Sequence, residues 1–79
     1  MPKNEITNTL NKRIAHNIHL YRVKRDLSMR DLAKQIGVSY QQVSKYELGD
    51  DKVSAARIYL IAKALKVSVS KLIENDTID

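Results

Sequence analysis

Cysteine, tryptophan and phenylalanine are missing from this sequence of 79 residues, which holds only two glycines and one proline. Without cysteine there is no disulfide, no thiol nucleophile and no Cys-based metal site. The longest apolar run, Ile58 to Ala62, is five residues, far short of the ~20 that a membrane-spanning helix needs. Met1 to Leu10 is polar and has no apolar stretch of the kind a secretory signal carries. These absences lead us to expect a cytoplasmic protein with no membrane contact. The one proline is Pro2, so little interrupts the chain after its start, and it reads as helical throughout. It shows no strand pattern, no long-period repeat and no low-complexity segment.

What is present fits a single small globular domain. Hydrophobic residues make up 43% and charged residues 29%, a balance that supports a core. A domain of this size has a small core, one that a partner subunit would help. The net charge of +5 sits entirely in residues 1–25, where Lys3, Lys12, Arg13, Arg22, Lys24 and Arg25 face Glu5 alone. Acids and bases balance over the rest of the chain. A one-sided positive field suits a polyanion, either nucleic acid or an acidic membrane surface. A basic face kept for solubility is the plainer reading of the same charge.

Apolar spacing sets out five helices. Leu10, Ile14, Ile18 and Tyr21 form one stripe on a first helix expected to start near Thr7 or Asn8 and to run to about Arg25. Ser28 with Asp31 reads as a capping box opening a second helix, which buries Leu32, Ala33 and Ile36 and ends at Gly37. Ser39 with Gln42 reads as another capping box. It opens a third helix whose inward residues are Val43 and Tyr46 and which Gly49 closes. After a loop over 50–53, Ser54 caps a fourth helix that buries Ile58, Ile61, Ala62 and Leu65, and a short fifth runs from Ser68 through Ile73. The domain is thus expected over 9–74, with a flexible arm at 1–8 and an acidic tail at 75–79.

The second and third helices carry the function. So short a connection at Gly37 cannot reverse the chain, and it forces a crossing of about 90–120°. That crossing demands a small residue at Ala33, freedom of φ at Gly37 and apolar side chains at Leu32, Ile36, Val38, Val43 and Tyr46, and all seven requirements are met. With Val43 and Tyr46 inward, Tyr40, Gln41, Ser44 and Lys45 face outward together. Such side chains suit base edges in a major groove: Gln for adenine, Lys for guanine, Ser for either, and Tyr for a thymine methyl or a phosphate. The N-termini of both helices offer backbone N–H donors to phosphates.

From Ile14 to Ile73 the chain resembles the Cro/cI-type helix-turn-helix family, the lambda-repressor-like or xenobiotic-response-element domains of bacteria and phages. The text that carries the resemblance is I-A-H-N-I-H-L-Y-R, L-S-M-R-D-L-A-K-Q-I-G-V-S-Y-Q-Q-V-S-K-Y-E-L-G and I-A-K-A-L-K-V-S, about three-quarters of the chain. It implies an all-α bundle of five helices with the helix-turn-helix at the second and third. It implies base reading by Tyr40, Gln41 and Lys45, with Ser39, Gln42 and Ser44 near the backbone or the groove. It also implies a partly buried salt bridge between Arg22 and Glu47. Two positions depart from the family. Met29 stands where a phosphate-gripping Gln is usual, which leaves Arg30 to substitute. The loop after the third helix, often basic, reads Asp50-Asp51-Lys52, so either it tilts away from DNA or Lys52 alone makes contact.

The expected function is sequence-specific binding of double-stranded DNA as a transcriptional regulator, a repressor acting as a homodimer on an inverted repeat. Backbone contacts are assigned to Arg30, Ser39, Gln42, Lys52, Lys12 and Arg13. The dimer surface is assigned to Val67, Val69, Leu72, Ile73 and Ile78, which exceed what a small core absorbs. An antitoxin with a toxin partner, a restriction–modification controller and a pure protein-interaction module are the other readings of the fold. No enzyme, cofactor or metal is expected. His16 and His19 have no third ligand near them, and Asp50 and Asp51 lie on a surface loop. Helix one as a membrane-surface amphipath has a narrow stripe with Tyr21 as its one bulky anchor, and the core needs that stripe.

Overall fold

The computed structural model describes residues 3–74, Lys3 by its backbone alone. Among them are five α-helices and no strand: α1 (Lys3–Lys24), α2 (Met29–Ile36), α3 (Tyr40–Leu48), α4 (Ala55–Leu65) and α5 (Val69–Ile73). Serine caps four of them in the same way. The hydroxyls of Ser28, Ser39, Ser54 and Ser68 accept from the backbone N–H three residues on, at 3.0, 3.1, 3.1 and 3.3 Å, satisfying donors that a helix leaves open. Helix α4 ends on Lys66 in the left-handed conformation, φ 58°, a position that glycine usually fills.

Helix α1 packs on α3 and α5, and α2 on α3 and α4, so that Ile18, Leu32, Val43, Ile61, Leu65 and Leu72 are wholly enclosed at the centre. No described helix is long and apolar enough to cross a membrane.

Three expectations need correction. Helix α1 starts at Lys3 rather than at Thr7 or Asn8, so 3–8 are helical. Its 22 residues span ~33 Å, longer than any other helix, and Leu10 on its early turns is exposed rather than buried. The buried stripe runs instead through Ala15, Ile18 and Tyr21, with Ile14 at its edge. Leu72, assigned to a dimer surface, has no exposed surface and belongs to the core, because α5 folds back beneath α1. Val67 also packs against that core, while Val69 and Ile73 are exposed; Ile78 lies outside the described residues.

The return of α5 is fixed by a residue that periodicity did not single out. Asn17, buried on α1, donates its side-chain amide to the carbonyls of Leu72 and Glu74, both at 2.9 Å, and of Lys71 at 3.3 Å. The last turn of a five-residue helix has open carbonyls that need donors, and α1 supplies them.

Candidate nucleic-acid interface

Three residues separate α2 from α3, and their backbone sets the crossing. Gly37 lies at φ 77°, ψ 34°, and both its N–H and that of Val38 donate to Ala33 O, at 2.9 and 3.1 Å. A Cβ on Gly37 would meet nothing within 4 Å, so conformation rather than crowding favours glycine there. Val38 turns inward against the core, and Ser39 caps α3.

Two anchors then orient α3. One is apolar: Val43 and Tyr46 are buried with Leu32, Ala33 and Ile36. The other is ionic. Arg22 on α1 donates Nε and Nη2 to the two carboxylate oxygens of Glu47, at 2.5 and 3.0 Å, and Nη1 to Leu27 O at 2.7 Å. The Glu47 side chain is only 4% exposed, so the fork of the guanidinium supplies the charge that burial would otherwise leave uncompensated. His19 Nδ1 lies 2.8 Å from Glu47 Oε1, a contact that requires the ring proton on Nδ1. Sequence reasoning missed His19 as a third member. Its spacing of three before Arg22 on one helix was the available signal.

The opposite flank of α3 is open. Tyr40, Gln41 and Lys45 are exposed and Ser44 is half-buried. Lys45 follows Gln41 by four residues and therefore sits directly above it. Ser39 is exposed but its hydroxyl is engaged as the cap. Gln42, expected to complete a capping box, sends its amide elsewhere: Nε2 donates to Asp51 Oδ2 at 2.8 Å. The acidic loop therefore lies against α3. Its turn is closed by the N–H of Asp50, which donates to Lys45 O at 2.9 Å, and it brings a carboxylate onto the helix. Lys52 in the same loop is exposed.

Met29 packs against the core, so its position at the start of α2 offers no polar group. The next residue does: the Arg30 guanidinium lies over the Tyr40 ring, 4.2 Å from its centre. On α1, Lys12 is exposed and Arg13 half-buried. Lys12 lies seven residues before His19, ~10 Å along the axis from the contact with α3. One further tie went unread in the sequence. Arg57 Nη1 on α4 donates to Ile36 O at 2.9 Å and so closes the end of α2. Among the described residues no group of three or more His, Asp or Glu side chains could hold a metal ion.

The helix-turn-helix family model matches residues 18–72. A transcriptional regulator in the ATPase CF(0) region of Rhodospirillum rubrum is 43% identical over 72 residues, covering 87% of this chain and 66% of that protein. An HTH-type transcriptional regulator of Sinorhizobium fredii is 39% identical over 68 residues, covering 86% of this chain and 48% of that protein. The chain thus spans about half to two-thirds of the length of these curated relatives. Among solved structures, the clp gene regulator ClgR of Corynebacterium glutamicum superposes with a TM-score of 0.77 at 25% identity, over 80% of this chain and 67% of that one. The restriction–modification controller C.AhdI of Aeromonas hydrophila does so at 0.73 and 26%, over 77% and 92%. With its family model spanning both helices of the motif and the core beneath them, the chain belongs to the Cro/cI-type family of helix-turn-helix DNA-binding domains.

Proposed function

We propose that this chain is a sequence-specific regulator of transcription that binds double-stranded DNA through α3. The observation that carries the reading is the two-sidedness of that helix. Val43, Tyr46 and Glu47 seat it, while Tyr40, Gln41 and Lys45 are exposed on the far side with half-buried Ser44 between them. A helix held on one flank and polar on the other suits a major groove about 12 Å wide. Capture begins with the basic residues of α1, Lys12 and Arg13 among them. The N–H groups at the start of α3, next to Ser39, then meet phosphates, with Lys52 reaching the same backbone from the loop. Gln41 and Lys45 read base edges at the end of this sequence of contacts.

The regulator acts in the cytoplasm as a repressor, covering a promoter as a homodimer. One module of this size buries too little surface to be both tight and selective, whereas two modules ~34 Å apart read both halves of an inverted repeat. Val69 and Ile73, exposed on α5, are the apolar residues offered to a second copy. Likeness to a restriction–modification controller favours, as a second reading, a regulator of a two-gene module.

Selection of bound sequences from a random pool of DNA duplexes tests the proposal. An inverted repeat with half-site centres ~34 Å apart is expected. Absence of any enriched sequence, or binding that does not weaken as salt rises, rejects it.

A further inference from the structure

We propose that Arg30 reads a guanine in the operator, as a guanidinium oriented by the ring of Tyr40, rather than gripping a phosphate. This rests on the DNA-binding reading of α3 and extends it to a residue on α2. Arg30 is the second residue of α2 and Tyr40 the first of α3, and the turn at Gly37 brings them together across the opening of the motif. The guanidinium lies 4.2 Å from the ring centre, a separation at which the flat cation rests against the aromatic face. An exposed contact of this kind is worth ~0.5–1 kcal/mol, which favours one orientation of the planar N–H fork before DNA arrives. A fixed plane suits the two acceptors of guanine, N7 and O6, which need both N–H groups at once. A phosphate also takes a bidentate fork, but it accepts one from many directions around its oxygens, whereas the guanine edge accepts it in a single plane.

The surroundings point the same way. Arg30 and Tyr40 line an open hollow of about 470 Å³ between the two helices, together with Asp31 and Lys34. Asp31 lines the same hollow, and its negative charge there disfavours a phosphate but not the neutral edge of a base. Lys34, one turn along α2 from Arg30, remains available to the backbone. The stack also narrows what Tyr40 can do. With one ring face covered by Arg30, its remaining contacts are its hydroxyl, its edge and the other face. The aromatic ring thus positions Arg30 in addition to touching DNA on its own account.

The test is selection from a random duplex pool, followed by binding titrations, for wild type, Arg30→Lys, Tyr40→Phe and Tyr40→Leu. Circular dichroism is recorded on each variant to establish that it is folded. Arg30→Lys keeps the charge and loses the planar fork. It is expected to lose one guanine preference, by about tenfold, while binding to non-specific duplex stays within a factor of two or three of wild type. Tyr40→Leu should lose the same preference, and Tyr40→Phe, which keeps the ring, should retain it. A fully retained preference in Arg30→Lys overturns the proposal, as does loss of affinity for all sequences alike in that variant. If wild type enriches no sequence, the DNA-binding reading itself has failed. A wild type that selects an operator and an Arg30→Lys variant that selects the same one would reject this inference alone.

Discussion

Replacing Arg22 by alanine should be the most damaging single change to a charged residue of α1, and its size can be worked from the contacts. Arg22 supplies two N–H donors to Glu47 and one to Leu27 O. Its loss leaves the carboxylate of a side chain only 4% exposed with the exposed His19 ring beside it, and removes the side-chain donor to Leu27 O. Breaking a buried pair by deleting one partner costs ~3–5 kcal/mol. A domain of 79 residues has ~4–12 kcal/mol of stability in all, at ~0.05–0.15 kcal/mol per residue. The loss is therefore about a quarter or more of the total, or at least ~12 °C in Tm at ~4–8 °C per kcal/mol. Lys24→Ala is the control. Lys24 is exposed and lies 5.3 Å from the centre of the Tyr21 ring, a contact worth ~0.5–1 kcal/mol. Urea titration followed by far-ultraviolet circular dichroism measures both. A third variant, Arg22→Ala with Glu47→Ala, should be less destabilised than the sum of its parts by ~1–3 kcal/mol, since no buried charge is then left alone. Equal midpoints for Arg22→Ala and Lys24→Ala, or strict additivity in the double variant, would refute the reasoning.

Gln41→Ala should relax base preference at one position of the operator, by ~1–3 kcal/mol, whereas Lys12→Ala should weaken all sequences alike and lower the salt slope by about one. Uniform weakening by both, in the same selection and titrations, would mean that α3 does not read bases. Asp51→Asn should raise affinity for any duplex by a few-fold, because it removes a negative charge that Gln42 holds against α3, an interaction of ~1 kcal/mol at 4 Å in water. An unchanged dissociation constant at low salt counts against that placement. Lys66→Gly should stabilise the fold by roughly 0.5–1 kcal/mol. Relief of a left-handed non-glycine residue, ~1–2 kcal/mol, outweighs the added freedom of glycine in the unfolded chain, ~0.4–1 kcal/mol. Thermal melts that show a lower Tm for Lys66→Gly rule this out.

The helices and the turn were legible because their signals are local. Ser28, Ser39, Ser54 and Ser68 each stand where a cap is needed, and Gly37 and Gly49 each stand where the backbone turns left-handed. The features that were not legible depend on what lies opposite. Leu10 repeats the spacing of Ile14 and Ile18, and periodicity alone cannot register that α1 outruns its neighbours. Leu72 looked like surplus apolar surface until α5 was seen beneath α1. Asn17 is a polar residue inside an apolar stripe, and its purpose is set by carbonyls more than fifty positions away. In the site, the turn at Gly37 predicted that α2 and α3 meet, but not that Arg30 would rest on Tyr40, nor that Gln42 would bond Asp51 rather than its own cap.

The division of α3 between holding and reading has a consequence that one pair of substitutions can test. Glu47 is followed by exposed Leu48 and preceded by buried Tyr46, and its carboxylate faces α1, away from the flank that carries Gln41 and Lys45. Glu47→Gln keeps the volume and the acceptor for Arg22 but leaves the guanidinium uncompensated, so stability should fall by a few kcal/mol. Below its melting temperature the variant should still select the wild-type operator, because the residues that meet base edges are untouched. Gln41→Ala should behave in the opposite way: it is exposed, makes no contribution to the core, and should melt within ~0.5 kcal/mol of wild type while losing discrimination. If Glu47→Gln changed the selected sequence, the anchor and the reading flank would be coupled, and the seating of α3 by Arg22 would have to be counted as part of recognition.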